Sequence, residues 1–95
     1  MSAYWIAHVT VTDPEAYKGY QERAAAVFSE YGAVFLARGG ESEVMEGPNL
    51  KRHVIIRFPT LADAKACYAS AAYQEAKRHR ETSAVAHVTL VGGAE

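Results

Sequence analysis

Apolar and polar residues alternate over residues 4–11, with Trp5, Ala7, Val9 and Val11 on one side and Tyr4, Ile6, His8 and Thr10 on the other. A period of two marks a strand with unlike faces. The pattern breaks at Thr12-Asp13-Pro14-Glu15. Asp13 can cap free amides there, Pro14 fits the first helical turn and Glu15 suits the positive end of the dipole, which predicts a helix start. Tyr17, Tyr20, Ala24, Val27, Phe28 and Tyr31 then recur at three- and four-residue intervals and make one apolar stripe. Gly32 can take the left-handed conformation that ends such a helix.

Residues 34–37 are short, apolar and partly β-branched, and so predict a buried strand. It delivers Arg38 and loosens into Gly39-Gly40, where a bulge or the close approach of another group is allowed. Residues 41–46 read as an extended arm and Gly47-Pro48-Asn49 as a turn. Residues 51–58 alternate again, with Val54, Ile56 and Phe58 opposed to His53, Ile55 and Arg57. After Pro59, Thr60 and Asp63 have capping-box spacing ahead of a helix over residues 61–69 whose inner side carries Leu61, Ala64, Cys67 and Tyr68. Ser70 reads as a restart, with helix over residues 71–80. Residues 85–91 form the last strand, Ala86, Val88 and Leu90 opposing Val85, His87, Thr89 and Val91. The order β-α-β-β-α-β with right-handed crossovers predicts an α+β ferredoxin-like domain spanning residues 1–95, its antiparallel sheet carrying both helical segments on one face.

The apolar sides of the outer strands and the third should meet the helices. The opposite face then collects Tyr4, Ile6, His8, Thr10, His53, Ile55, Arg57, Val85, His87, Thr89 and Val91. Regular alternation in the second strand puts Phe35 and Ala37 under the helices and adds Leu36 and Arg38 to this second face. Left bare, it exceeds the apolar patch a soluble monomer usually exposes. Two-fold packing against a second copy removes the problem, so a homodimer with sheets face to face is expected.

Composition narrows the class. A chain of 95 residues makes one core, and its net charge of -1 leaves no footprint for nucleic acid or an acidic membrane surface. The densest basic run, Lys77-Arg78-His79-Arg80, has Glu75 and Glu81 beside it and reads as a solvated helix face. No stretch approaches a membrane span and no basic-apolar leader precedes the first strand, so a cytoplasmic location is expected. The single cysteine, Cys67, permits no intrachain disulfide and reads as a small core residue.

Candidate chemistry falls on few residues. Arg38 offers forked donors to a carboxylate or enolate, the bland alternative being an ion pair with Glu43, Glu46 or a partner chain. His8 is the candidate proton-transfer group, the alternative being a histidine bonded within the dimer interface. These two form the candidate catalytic pair. Tyr17, Tyr68, Leu36 and Ile55 are the candidate ligand-binding residues, against which stands an ordinary amphipathic core with hydroxyls at its rim. His8, His53 and His87 share a face, but no close ligand motif is present and neither metal nor cofactor is expected. Cys67 lacks a visible base. Gly39-Gly40 opens an acidic arm rather than a helix and is no phosphate loop.

Tyr4-Trp5-Ile6-Ala7-His8-Val9, the Thr12-Asp13-Pro14-Glu15-Ala16-Tyr17 helix start, Phe35-Leu36-Ala37-Arg38-Gly39-Gly40, Glu46-Gly47, Phe58-Pro59, Ser70 and Tyr73-Gln74 occur here in fixed order. In these motifs the chain resembles the domain-of-unknown-function 1330 family over essentially its whole length. The resemblance implies a dimeric α+β barrel and no particular reaction. Arg57 stands where that family more often has glutamate, Cys67 where tryptophan is common, and Ala71-Ala72 where Pro-Glu is usual. Related dimeric barrels include cofactor-free monooxygenases and lactone isomerases. The expected function is binding of a small apolar oxygenated molecule at the sheet, extending to cofactor-independent catalysis. The alternative is a non-catalytic dimeric module without a ligand.

Overall fold

The computed structural model describes residues 1–94. Strand β1 (Ala3–Val11) leads into helix α1 (Pro14–Glu30), then β2 (Val34–Arg38), β3 (Arg52–Phe58), α2 (Leu61–Ala69), α3 (Ala71–Glu81) and β4 (Ala84–Gly92). The four strands pair antiparallel in the order β2-β3-β1-β4. β1 and β2 therefore run parallel with β3 between them, and β3 and β4 run parallel with β1 between them, which is the ferredoxin-like α+β plan.

Local chemistry sets the boundaries. The Asp13 carboxylate accepts from the Ala16 amide at 3.3 Å, and Pro14 opens α1. Gly32, at φ 72°, turns the chain off that helix while the Ala33 amide donates to the Phe28 carbonyl. Thr60 Oγ1 accepts from the Asp63 amide at 3.0 Å and starts α2. Ser70 serves two helices at once. Its hydroxyl donates to the Cys67 carbonyl at 2.7 Å, closing α2, and accepts from the Tyr73 amide at 3.1 Å, opening α3. Residues 41–51 form no strand or helix.

The core lies between the helices and one face of the sheet. Trp5 sits at its centre, ring-to-ring with Phe28 and Tyr73 at 5.0 Å each, with Tyr68 at 5.7 Å and with Phe58 at 5.9 Å. Such pairs contribute roughly 0.5–1.5 kcal/mol each beyond the area they bury. Tyr17, Tyr20, Ala24, Val27 and Phe28 are buried from α1, as the stripe predicted, and α3 adds Tyr73 and Ala76. Helices α1 and α3 are also joined by a buried hydrogen bond, Tyr20 Oη to Tyr73 Oη at 2.9 Å.

Strand β2 is an exposed edge strand rather than the buried one expected, with only Phe35 half-buried, and it departs from the expected alternation. Phe35 stands opposite Ile56, but Ala37 stands opposite Ile55 and Arg38 opposite Val54, so Leu36 is an inserted residue. One extra residue in a strand exchanges the faces of everything beyond it. Phe35 and Arg38 thus both lie on the helix side, whereas Ala37 pairs on the outer side. The expectation that Ala37 lies under the helices and Arg38 on the outer face is corrected by this bulge, which precedes the double glycine rather than falling on it.

On the outer face the register makes cross-strand rows: Arg57, Tyr4 and Val91; Ile55, Ile6 and Thr89; His53, His8 and His87. Ile55, Val85 and Val91 on this face are exposed at 36%, 54% and 44%, and Leu36 at the bulge at 50%, so apolar side chains lie open on both edge strands, with no covering element among the described residues.

Candidate functional site

The inner face and α1 do not close completely. A cleft opens between them, walled by Trp5, Phe28, Phe35, Val54, Ile56 and Val88 and crossed by Tyr17, Tyr20 and Gln21 from α1. Three arginines complete the lining: Arg38 from the end of β2, Arg52 from the start of β3 and Arg80 from the last turn of α3. Among the described residues the lining contains no aspartate or glutamate. The cleft is open to solvent and has a cavity volume of about 40 Å³, room for a few water molecules.

Each arginine is placed by a separate local device. The Leu36 insertion turns Arg38 inward, where its guanidinium lies 3.9 Å from the centre of the Phe35 ring. Arg52 stands opposite Val9, two residues before Val54, and so shares the inner face. Its guanidinium folds over Gly39, where a β-carbon would collide with Nη1. Gly39 has a φ of 71°, so the missing side chain suits both the turn and the arginine. Arg80 is buried, with Nη2 donating to Tyr73 Oη across 3.4 Å and its guanidinium 5.4 Å from the Tyr20 ring centre. The Nε atoms of Arg52 and Arg80 are buried and have no hydrogen-bond partner among the described residues.

The phenols beside Arg80 stay neutral. Burial, reinforced by the neighbouring Tyr73, pushes the Tyr20 phenol up, and burial likewise raises Tyr73. Both act as hydrogen-bonding groups at ordinary pH rather than as counter-charges. The Cys67 thiol, pushed up to about 11 by burial and then by Glu30, is a core group and not a nucleophile.

A second hollow, of about 390 Å³, lies on the opposite side of the sheet. The histidine row forms its floor and residues 42–50 its wall, with Glu43, Met45 and Glu46 among them. His8 Nδ1 and His53 Nδ1 share a hydrogen bond of 2.8 Å, one ring donating and the other accepting. His87 stands beside His8 in register without closing a cluster. Among the described residues, no group of three His, Cys, Asp or Glu side chains is disposed to hold a metal ion.

The candidate residues are therefore separated. Arg38 and Tyr17 line the inner cleft, and His8 belongs to the outer hollow. With the sheet between them, Arg38 and His8 do not meet one ligand within a subunit. Ile55 lies on the outer face and Leu36, at the bulge, is exposed, so neither borders the cleft. Tyr68 is absent from the lining as well: it packs on Trp5 and Tyr73, with Lys77 Nζ 5.5 Å from its ring centre. Arg38 forms no ion pair with Glu43 or Glu46 among the described residues.

Sequence reasoning passed over Arg52 and took Arg80 for part of a solvated face. The signal was present in both cases. Arg52 continues the Val54-Ile56-Phe58 alternation, and Arg80 follows Tyr73 and Ala76 at helical spacing. Arg78 behaves as the solvated reading requires, exposed and paired with Glu75 at 3.3 Å, whereas Lys77 is half-buried, its Nζ donating to Tyr68 Oη at 3.4 Å and lying 3.8 Å from Glu81.

This fold, with a charged cleft under its helices and an uncovered apolar sheet face, defines a small ferredoxin-like α+β protein. The chain belongs to the family described as domain of unknown function, DUF1330, whose model matches residues 2–94. No curated protein matches it. Among solved structures it is similar to a protein of unknown function from Rhodopseudomonas palustris, at 18% identity and a TM-score of 0.81, covering 99% of this chain and 83% of that one. A dimeric ferredoxin-like protein of unknown function from Jannaschia matches at 13% identity and a TM-score of 0.68, covering 98% and 100%. SnoaB, a cofactor-independent oxygenase from Streptomyces nogalater, matches at 10% identity and a TM-score of 0.67, covering 99% and 94%. At these identities the likeness is one of fold.

Proposed function

We propose that the protein is a homodimer, paired through the outer sheet face, in which each subunit binds a small apolar oxygenated molecule in the cleft between α1 and the sheet. The observation that carries the binding reading is the makeup of the lining: aromatic and aliphatic walls with a few polar groups, three of them guanidiniums. Apolar walls and a few fixed polar groups are the usual composition of a small-molecule site. The dimer reading rests on the exposed apolar residues of the outer face, Ile55, Val85 and Val91, and on the dimeric ferredoxin-like neighbour. In that dimer the outer hollow belongs to the interface, where His8 and His53 already satisfy one another.

The cleft supplies donors and positive charge but no base. Among the described residues, Tyr17, Tyr20 and the three arginines are its only ionisable groups, and Tyr20 is held protonated. Such a site favours oxygen-centred negative charge on its ligand, as a carbonyl compound acquires on enolisation. A cofactor-independent reaction of the kind the SnoaB comparison brings to mind fits that property, with the proton removed by a group other than a cleft residue. His8, across the sheet, has no part in it in this reading.

The test uses Trp5, the only tryptophan and a cleft residue. Its indole N–H gives one resolvable NMR signal. Titration with small aromatic ketones, alcohols and carboxylates is expected to move that signal saturably for at least one compound. If compounds bind yet shift His8 and His87 while leaving Trp5 unmoved, the ligand site is the outer hollow and the cleft reading fails.

A further inference from the structure

The cleft reading leaves open what kind of molecule enters, and resting on it we infer that the ligand is an anion: a flat apolar or aromatic body bearing a carboxylate or enolate oxygen, received by Arg80 and Arg52. The argument is one of unbalanced charge. Arg80 retains only 9% of its surface exposure, yet no carboxylate pairs with it among the described residues. Its one hydrogen bond, to Tyr73, is long at 3.4 Å, and its Nε is buried without a partner. A buried charge is ordinarily paired, because water that solvated it has been removed and nothing else repays the loss. The flanking tyrosines do not supply the counter-charge, since burial holds Tyr20 and Tyr73 in their neutral forms.

Arg52 repeats the pattern at a half-buried position, with a second buried Nε left unbonded. The guanidinium geometry matches the two oxygens of a carboxylate, which can accept from Nε and Nη together. The remaining walls, Trp5, Phe28, Phe35 and Val54, suit an unsaturated planar body. The empty cleft has a cavity volume of only about 40 Å³, so it must widen to take such a body, and in this proposal it does so as Arg38 swings away from Phe35. Arg38 is exposed and held there by its ring contact alone, which makes that movement inexpensive.

The experiment compares cinnamate with cinnamamide, equal in shape and differing in charge, by titrating the Trp5 indole signal in low-chloride buffer at pH 7. Wild-type protein is expected to bind cinnamate roughly tenfold or more tightly than the amide, the value of one charge-assisted hydrogen-bond pair. Arg80→Met should cut that preference to about threefold or less while leaving the amide constant within about twofold. Arg52→Met, at a less buried position, should reduce the preference in the same direction, and Arg78→Met on the solvated face should leave it unchanged. If both compounds shift Trp5 with equal affinity, the cleft is a ligand site but the anion inference is wrong. If the preference persists in both Arg80→Met and Arg52→Met, these arginines are not the receptors. If neither compound moves Trp5, the inference of a flat aromatic anion falls, while the cleft reading stands or falls by the wider titration above.

Discussion

Replacing Arg80 by methionine should leave the empty protein as stable as before, or more stable. Four contributions decide the sign. The variant loses a long hydrogen bond to Tyr73, about 0.5 kcal/mol at the weak end of the range. It also loses a cation–ring contact to Tyr20 at 5.4 Å, about 0.5–1 kcal/mol. Against this, it removes a buried unbonded Nε, which costs about 1–3 kcal/mol while the arginine is present. A methionine side chain in the same space adds apolar burial. Tyr73 is not orphaned by the change, because its hydroxyl keeps the bond to Tyr20. The net expectation is a gain of about 0–2 kcal/mol, in line with the general behaviour of buried charges exchanged for apolar residues. Urea unfolding followed by circular dichroism, at one fixed protein concentration because a dimer's stability depends on it, measures the difference. A loss of more than about 2 kcal/mol would refute the reasoning, since Arg80 would then be a structural member rather than a ligand receptor kept at a cost to stability.

Other residues give sharper single expectations. Ser70→Ala removes the closing contact of α2 and the opening contact of α3 together, and should cost about 1 kcal/mol, lowering the melting temperature by about 4–8 °C in a calorimetric scan. Leu36→Asp puts a charge at an exposed apolar position on the β2 edge and should convert the proposed dimer to monomer in sedimentation velocity while leaving the far-UV spectrum unchanged. A dimer of unaltered affinity would move the interface elsewhere. The raised Cys67 thiol contributes stability while protonated: the contribution is complete below the ordinary value of 9.0 and fades as pH rises towards about 11. Cys67→Ala should therefore flatten the decline in stability between those limits, and the wild-type thiol should resist iodoacetamide at pH 8 until the protein is unfolded.

The order of elements was legible because strong local signals agreed with one another. Asp13-Pro14, Thr60 and Ser70 each carry their capping chemistry in the sequence, and each side chain makes the expected cap. The alternation in β1 and β3 likewise predicts which residues are buried. β2 was legible as a strand but not in its facing. Five residues hold too few alternations to reveal an inserted one, and the Leu36 bulge is set by pairing with β3 rather than by any local residue preference. That single insertion took Arg38 from the histidine face to the cleft, and so separated the two residues first paired as a candidate site. Arg80 was obscured for a different reason. Its neighbour Arg78 is solvated and Lys77 only half-buried, and a run of like charges hides the member that helical spacing turns fully inward.

A crystal structure of the protein with cinnamate tests the central claim most directly. The account predicts the aromatic body between α1 and the inner sheet face, its carboxylate within hydrogen-bonding distance of Arg80, and Arg38 displaced from Phe35. Cinnamate lying instead against His8 and His87 on the outer face, with the cleft unchanged and Arg80 still unpaired, would contradict it.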